Sequence, residues 1–392
     1  MFNEQRNQNG IETTSIRIFA ILTSSIIFSV AHAESNVTLY GVIDTGIDYA
    51  NSEVKASNGQ IVPNSGGHVF QMSSGVPWGS RWGIVGKEDL GGGLKAIFRL
   101  ESGFNSVNGS LGGNNQLFSR NAYVGLQSDS VGTLTFGKQW DTIVDMLEPF
   151  SLNGNYGGWY FAHPNDMDNM DNGFSVNNAV KYVSPSFGGL QFEGHYSLGG
   201  QAGQFSNQAS YSAGATYRFQ GLAAGVAYLR VNNPGVAIAS YQSGGGFVNT
   251  VYGSALEQAH SQSVLATGLS YQFDKVKLLG NFTYTTFQHG DAGQNVTFQN
   301  YELAAIYSLR ENLALASGYT YTAGRDYATD STPKYQQINL IVQYSLSKRT
   351  DIYAMAALQR ASGDAQFAQI AGLNPSSTKK QAVARLGMTH HF

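Results

Sequence analysis

The sequence predicts an all-β protein: one closed antiparallel barrel of sixteen strands that crosses a membrane. Three observations carry that prediction. Segment after segment alternates apolar and polar residues, as in Leu190, Phe192, Gly194, Tyr196 and Leu198 against Gln191, Glu193, His195 and Ser197. The connections between these segments alternate strictly between short and long. The composition holds 47 Gly and 12% aromatics yet only 12% charged residues, about half the usual soluble share.

A soluble sandwich also alternates, so the pattern must be read with the rest. A mean hydropathy of -0.20 is too polar for helical spans, and past the N-terminus no apolar run reaches about 18 residues. A membrane barrel satisfies both facts, because only every second strand residue meets lipid. The 392 residues suit a single all-β unit, and the net charge of -3 argues against a nucleic-acid partner. The absence of Cys fits a reducing cytosol and an exported, disulfide-free protein equally.

Residues 1–33 read as a signal peptide. Arg6 and Arg17 supply positive charge, Ile18 to Val30 form the apolar stretch, and Ala31-His32-Ala33 is an A-x-A cleavage site. A short membrane anchor is the alternative, but the apolar stretch falls short of the roughly 20 residues a span requires. The barrel then occupies 34–392 with no internal domain boundary.

The strands follow in order. The first half gives Val37–Tyr49, Ser80–Glu88, Leu94–Phe104, Phe118–Gln127, Gly132–Trp140, Asn178–Val183, Leu190–Leu198 and Tyr211–Phe219. The second half gives Leu222–Val231, Val264–Phe273, Lys275–Phe287, Thr297–Leu309, Leu313–Thr322, Tyr335–Leu346, Asp351–Gln359 and Lys380–Phe392. Short links such as Gln220-Gly221 and Arg310-Glu311-Asn312 face long ones such as Ala50–Gly79, Asp141–Asn177 and Arg360–Lys379. Short turns on one side and long loops on the other are the signature of an outer-membrane barrel, with short periplasmic turns and long extracellular loops. An even strand count places both termini on the short-turn, periplasmic side, and closure removes the edges an open sheet would expose.

Several blocks are specific. Val37-Thr38-Leu39-Tyr40-Gly41-Val42-Ile43-Asp44, Ser80-Arg81-Trp82-Gly83, Gly86 to Ala96, Ser119-Arg120-Asn121-Ala122-Tyr123-Val124-Gly125-Leu126, Phe136-Gly137-Lys138-Gln139-Trp140-Asp141, Asn178 to Pro185 and Gly387 to Phe392 resemble the Gram-negative general porins of the Neisseria/Burkholderia (beta-proteobacterial) type. The resemblance spans essentially all of the mature chain and is weakest between Asn232 and Ser263. It implies an outer-membrane homotrimer that passes ions and small hydrophilic solutes, in contact with outer-membrane lipid and lipopolysaccharide. No enzymatic activity and no cofactor is expected.

The third long loop, 141–177, carries Asp141, Asp145, Glu148, Asp166, Asp168 and Asp171 with no Lys or Arg. Its residues alone allow either a solvated acidic surface loop or one folded inward to narrow the barrel. Asp145-Met146-Leu147-Glu148-Pro149-Phe150 resembles the constriction segment of the family, which implies an inward-folded loop with the acids Asp141, Asp145 and Glu148 at the narrow point. Glu148-Pro149 inverts the family's usual order.

The resemblance sets Arg81, Arg120 and Lys138 on a basic wall opposite. Alternation independently turns Arg81 away from Trp82 and Ile84, and puts Lys95, Arg99 and Glu101 opposite Leu94, Ala96, Phe98 and Leu100. An Arg facing mid-bilayer lipid costs about 2–4 kcal/mol, so mid-strand charges belong in the lumen. Ser175 stands where the family carries a further Arg. Six acids against a thinned basic wall lean toward weak cation preference.

In the closing strand Ala384, Leu386, Met388, His390 and Phe392 share one face, and the terminal aromatic resembles the signal read by the outer-membrane assembly machinery. Three other signals fail. No G-x-S-x-G elbow appears. Asp166 to Gly173 superficially resembles a calcium loop but has Met170 where a ligand is needed and no closing Glu. Gly91-Gly92-Gly93 precedes no helix and is a turn rather than a phosphate cradle. The competing functional readings are a substrate-specific (for example sugar) porin, a barrel adhesin or enzyme acting through its loops, and a soluble ligand-binding β-domain. The aromatics Tyr156, Trp159, Tyr160 and Phe161 of the acidic loop suit a sugar track or simple packing against the wall.

Overall fold

The computed structural model describes residues 36–57, 60–62, 65–113, 116–238, 249–253, 255–289 and 294–392. The expected signal peptide, 1–33 with its Ala31-His32-Ala33 site, lies outside them. One antiparallel sheet of seventeen strands closes on itself. Sixteen strands build the wall: Asn36–Glu53, Arg81–Gly91, Leu94–Gly103, Asn121–Ser128, Gly132–Gln139, Val176–Val183, Leu190–Ser197, Ser210–Phe219, Leu222–Asn232, Ser261–Phe273, Val276–Gln288, Val296–Arg310, Leu313–Asp326, Pro333–Ser347, Thr350–Gly363 and Lys380–His391. No described helix is long and apolar enough to cross a membrane.

Closure is made by the first and last strands. Val42 to Ala50 pair with His391 to Val383, and Gly41 and Phe392 exchange both backbone hydrogen bonds at 3.0 Å. A Cβ at Gly41 would lie 2.2 Å from the Phe392 ring, so this seam needs glycine. On its other edge the first strand splits. Its lower half, Asn36 to Val42, pairs with Lys87 to Arg81, and its upper half pairs with a seventeenth strand, Gly67–Ser74. That strand falls inside the expected first long loop. A break at Gly75, held at φ +72, separates it from Arg81.

Alternation does what a membrane barrel requires. In the tenth strand Leu265, Leu269 and Tyr271 are exposed outward while Val264 and Ala266 are fully buried inward. Outward Tyr217, Phe219, Tyr271, Phe273, Tyr307 and Tyr344 ring the short-turn end, the girdle expected at a lipid–water interface. The inward face departs from a uniformly polar lumen. Ala227, Leu229, Val231, Val264 and Ala266 point inward and are buried, because the third loop packs on them.

Candidate functional site

The third loop leaves the fifth strand at a β-bulge. Gly137 sits at φ +135, and the register against the sixth strand shifts between Gly137 and Gln139. A bulge bends the strand and re-aims its side chains, here into the barrel. The chain then winds through short helical turns, Ile143–Leu147, Glu148–Phe150, Asn153–Gly157, Gly158–Phe161 and Pro164–Asp166. Ile143, Met146, Leu147, Phe150 and Leu152 are buried against the far wall. That wall is hollowed to receive them: a Cβ at Gly268 would come within 2.5 Å of the Phe150 ring, and one at Gly225 within 2.8 Å. The loop is therefore inward-folded, as the family resemblance implied.

Polar latches hold it there. The Leu152 amide donates to Glu302 Oε1 at 2.7 Å, and Asn281 Nδ2 donates to Glu302 Oε2 at 2.8 Å. The His163 ring lies between Asp168 Oδ2 at 2.6 Å and Glu302 Oε2 at 3.1 Å. All three side chains are buried. Burial alone would lower the His163 pKa, but the two carboxylates raise it to about 10, so the ring is an imidazolium bonded to both. Gln337 Nε2 donates to the Tyr160 carbonyl at 2.9 Å and Lys277 Nζ to Asn155 Oδ1 at 2.9 Å. The Tyr160 and Phe161 side chains are buried in this packing, which is structural rather than a track open to solutes.

Opposite the loop, Arg81, Arg99 and Arg120 converge on one carboxylate. Glu101 Oε2 accepts from Arg99 Nη2 at 2.5 Å and lies 3.7 Å from Arg81 Nε, and Oε1 accepts from Arg120 Nε at 2.8 Å. The Tyr40 hydroxyl adds a bond at 2.6 Å, and the Arg120 guanidinium stacks over Trp140 at 4.9 Å. Glu101 is 1% exposed, but the guanidiniums keep 19–34% of their side-chain surface, so they face water while their counter-charge lies behind them. The opening between wall and loop is lined by Arg81, Arg99, Glu101, Arg120, Trp140, Asp145, Glu148, Asn153, Asp171 and Asn172.

Wall and loop also touch. Arg120 Nη2 donates to Asn172 Oδ1 at 3.4 Å, and Asn172 Nδ2 donates to Glu148 Oε1 at 2.9 Å. Asp145 is ion-paired to Lys181 on the sixth strand. Burial pushes the Glu148 carboxyl up to about 7, against the opposing pull of the Asn172 bond and the Arg120 charge. Glu148 is thus charged above about pH 7 and neutral below it. Any cation preference it confers is expected to be full at alkaline pH and to fade as pH falls through 7. Reversal potentials measured across that window check this, and Glu148→Gln should weaken the pH dependence.

Of the residues singled out from sequence, Arg81, Arg99, Arg120, Asp145 and Glu148 meet at this opening. Two do not. Asp141, expected among the constriction acids, is fully buried: Oδ1 accepts the Ile143 amide at 2.7 Å and Oδ2 accepts Asn169 Nδ2 at 2.5 Å. It fixes the start of the loop from inside. Lys138, expected on the basic wall, lies in the bulge, is 8% exposed and donates to Asn177 Oδ1 at 3.1 Å. It is absent from the lining of the opening. Ser175 is buried, with its hydroxyl donating to the Ser119 carbonyl. Sequence reasoning missed Lys181, although Val180 and Tyr182 face outward and so turn it inward. It also missed Asn172 and the part Glu101 plays as the shared counter-charge.

A closed barrel with an apolar outer belt, a charged interior and a loop narrowing that interior defines a membrane channel. The family model described as "Gram-negative porin" matches residues 22–364, and the chain belongs to that family. It is 36% identical over 266 residues to an outer membrane porin protein of Bordetella pertussis, covering 65% of this chain and 66% of that protein. It is 28% identical over 388 residues to outer membrane porin protein 32 of Delftia acidovorans, covering 96% and 99%. It is 27% identical over 349 residues to the major outer membrane protein P.IB of Neisseria meningitidis, covering 87% and 93%. Among solved structures, the anion-selective porin from Comamonas acidovorans superposes with a TM-score of 0.70 at 24% identity, covering 92% of this chain and 100% of that one. The trimer form of OmpT from Vibrio cholerae gives 0.65 at 15%, covering 91% and 99%, and like the first shows the shared fold. The chain is a general porin of the outer membrane, and its family works as channels.

Proposed function

We propose that solutes pass through the lumen, sorted by the opening between Arg81, Arg99 and Arg120 on the wall and Asp145 and Glu148 on the loop. The observation that carries this is the geometry of that opening, with guanidiniums on one side and carboxylates on the other. Two unit charges about 9 Å apart interact by roughly 0.5 kcal/mol at bulk dielectric and roughly 2 kcal/mol at an effective value of 20. That is too little to trap an ion and enough to orient water and dipolar solutes, which disfavours large apolar ones. The lining holds three Arg and four acids, Glu101 behind the guanidiniums on the wall and Asp145, Glu148 and Asp171 on the loop, which supports a weak cation preference above neutral pH.

In this reading the protein is a channel and not an enzyme, the long loops shape the entrance, and no cofactor takes part. It assembles as a homotrimer in outer-membrane lipid and lipopolysaccharide after cleavage near Ala33. Planar-bilayer recording tests the reading: large ohmic steps with linear solute flux are expected. An absence of steps from folded protein overturns it, and saturable block by one sugar would favour a substrate-specific channel.

Phe392 is proposed to act as the recognition signal for assembly. It is 41% exposed on the outer face while its backbone closes the barrel. Deleting it is expected to lower the yield of assembled barrel in cells while leaving detergent refolding in vitro intact. Normal yield in cells would sink this role.

A further inference from the structure

Lys181 stands just behind the opening with one more carboxylate to serve than it has charge for. It turns inward from the sixth strand, between outward Val180 and Tyr182, and its side chain is 10% exposed. Its ammonium is ion-paired with Asp145 of the loop and donates to the Trp140 carbonyl at 3.2 Å. Glu193, on the seventh strand, presents Oε1 to the same ammonium at 4.0 Å. That is within ion-pair range and beyond a hydrogen bond. An ammonium carries three donors, so one remains beyond those given to Asp145 and Trp140.

Glu193 is held in place without being satisfied. Its Oε1 is buried and accepts no hydrogen bond, and its side chain is 4% exposed. The Thr142 hydroxyl, which accepts from Ser212 Oγ at 2.5 Å, bonds the Glu193 carboxylate. His195, directly across from Lys181, has its ring nitrogens engaged by Ser212 and Ser210. No other cation pairs with Asp145 or Glu193 among the described residues.

Of these three charged groups only Asp145 reaches the opening. It keeps 30% of its side-chain surface, whereas Lys181 and Glu193 are absent from the lining. That lining carries three guanidiniums and four carboxylates. With Lys181 on Asp145 the charges at the opening balance. With Lys181 drawn to Glu193, Asp145 is bare and one net negative charge faces the current. The two arrangements differ by a movement of the ammonium of roughly 1 Å, from 4.0 Å to the length of an ordinary charge-assisted bond.

Resting on the reading of this opening as the filter, we propose that Glu193 is a positioning residue for ion selectivity: it competes with Asp145 for Lys181 and so sets how much of the Asp145 charge the pore presents. Glu193 itself never meets a permeating ion. Removing it leaves Lys181 wholly to Asp145. Removing Lys181 leaves Asp145 bare, and Glu193, buried without a cation, does not stay charged.

Reversal potentials of E193Q, K181M, K181M/E193Q and D145N in a salt-gradient bilayer above neutral pH test this. E193Q should lower the cation-to-anion permeability ratio about twofold and K181M should raise it about twofold, the factor one charge roughly 8 Å from a permeating ion gives at bulk dielectric. K181M/E193Q should match K181M, because Glu193 acts through Lys181 alone. A merely structural part for the pair would move both single variants the same way. An E193Q value equal to the wild type beside a shifted D145N, or an E193Q shift of undiminished size in the K181M background, would overturn the role of Glu193 and leave the filter standing. An unshifted D145N would instead overturn the filter itself. E193Q is nearly isosteric, and K181Q replaces K181M if the latter assembles poorly.

Discussion

Replacing Glu101 by Gln is expected to convert the pore to clear anion preference. The side chain is nearly isosteric, so the barrel keeps its shape, but three guanidiniums lose the one carboxylate they share. Each had been held back toward the wall by a contact of 2.5–3.7 Å. Without it they repel one another into the opening, where their charge meets permeating ions directly. The cost to stability is roughly 2–3 kcal/mol, below that of a dry interior because the guanidiniums remain partly wet. A sixteen-stranded barrel tolerates that loss. The reversal potential in a salt gradient is the readout, and an unchanged value would mean that Glu101 does not govern the wall's charge.

Replacing Glu302 by Leu is expected to release the constriction loop and enlarge the pore. Glu302 accepts the Leu152 amide, Asn281 and the His163 ring, and so ties the loop's middle and its far arm to one point on the wall. Removing it leaves a buried amide without an acceptor and a buried imidazolium with only Asp168, a loss of about 3–5 kcal/mol. The Phe150 anchor against Gly225 and Gly268 is untouched, so the loop root stays while the remainder swings. Single-channel conductance should rise, its current noise should increase, and larger sugars should enter liposomes. Unaltered conductance and size limit would show that Glu302 is not a latch.

The strands were legible because lipid outside and water or loop inside impose a period of two over most of the wall. Their ends agree closely with the alternation, from Leu94 in the third strand to Phe273 in the tenth. The exception, Gly67–Ser74, was hidden by length: eight residues inside a long loop, followed at once by Gly75 and Pro77, read as loop punctuation. Arg120 was placed by the resemblance and not by alternation, for a simple reason. It lies just before its strand, which begins at Asn121, so period two does not apply to it.

Lys138, which the resemblance set on the basic wall, sits in a bulge whose extra residue turns its side chain away from the opening. Asp141 could not be placed from sequence at all. Its partner Asn169 lies 28 residues on and arrives only when the loop folds inward. The acids Asp166, Asp168 and Asp171 read as charge for the pore, yet all three are buried, and only Asp171 reaches the lining of the opening. Asp166 accepts the amides of Asp171 and Gly173, and Asp168 binds His163, so these two shape the loop rather than the current.

The proposed filter of the pore is the opening between the arginine wall and Asp145 and Glu148. The most direct test is the zero-current potential of the Asp145→Asn/Glu148→Gln double variant in a salt-gradient bilayer above neutral pH. A shift toward anion preference relative to the wild type is expected, because the wall's guanidiniums lose two of the three loop carboxylates that line the opening with them. A reversal potential identical to the wild type, at unaltered conductance, would contradict it.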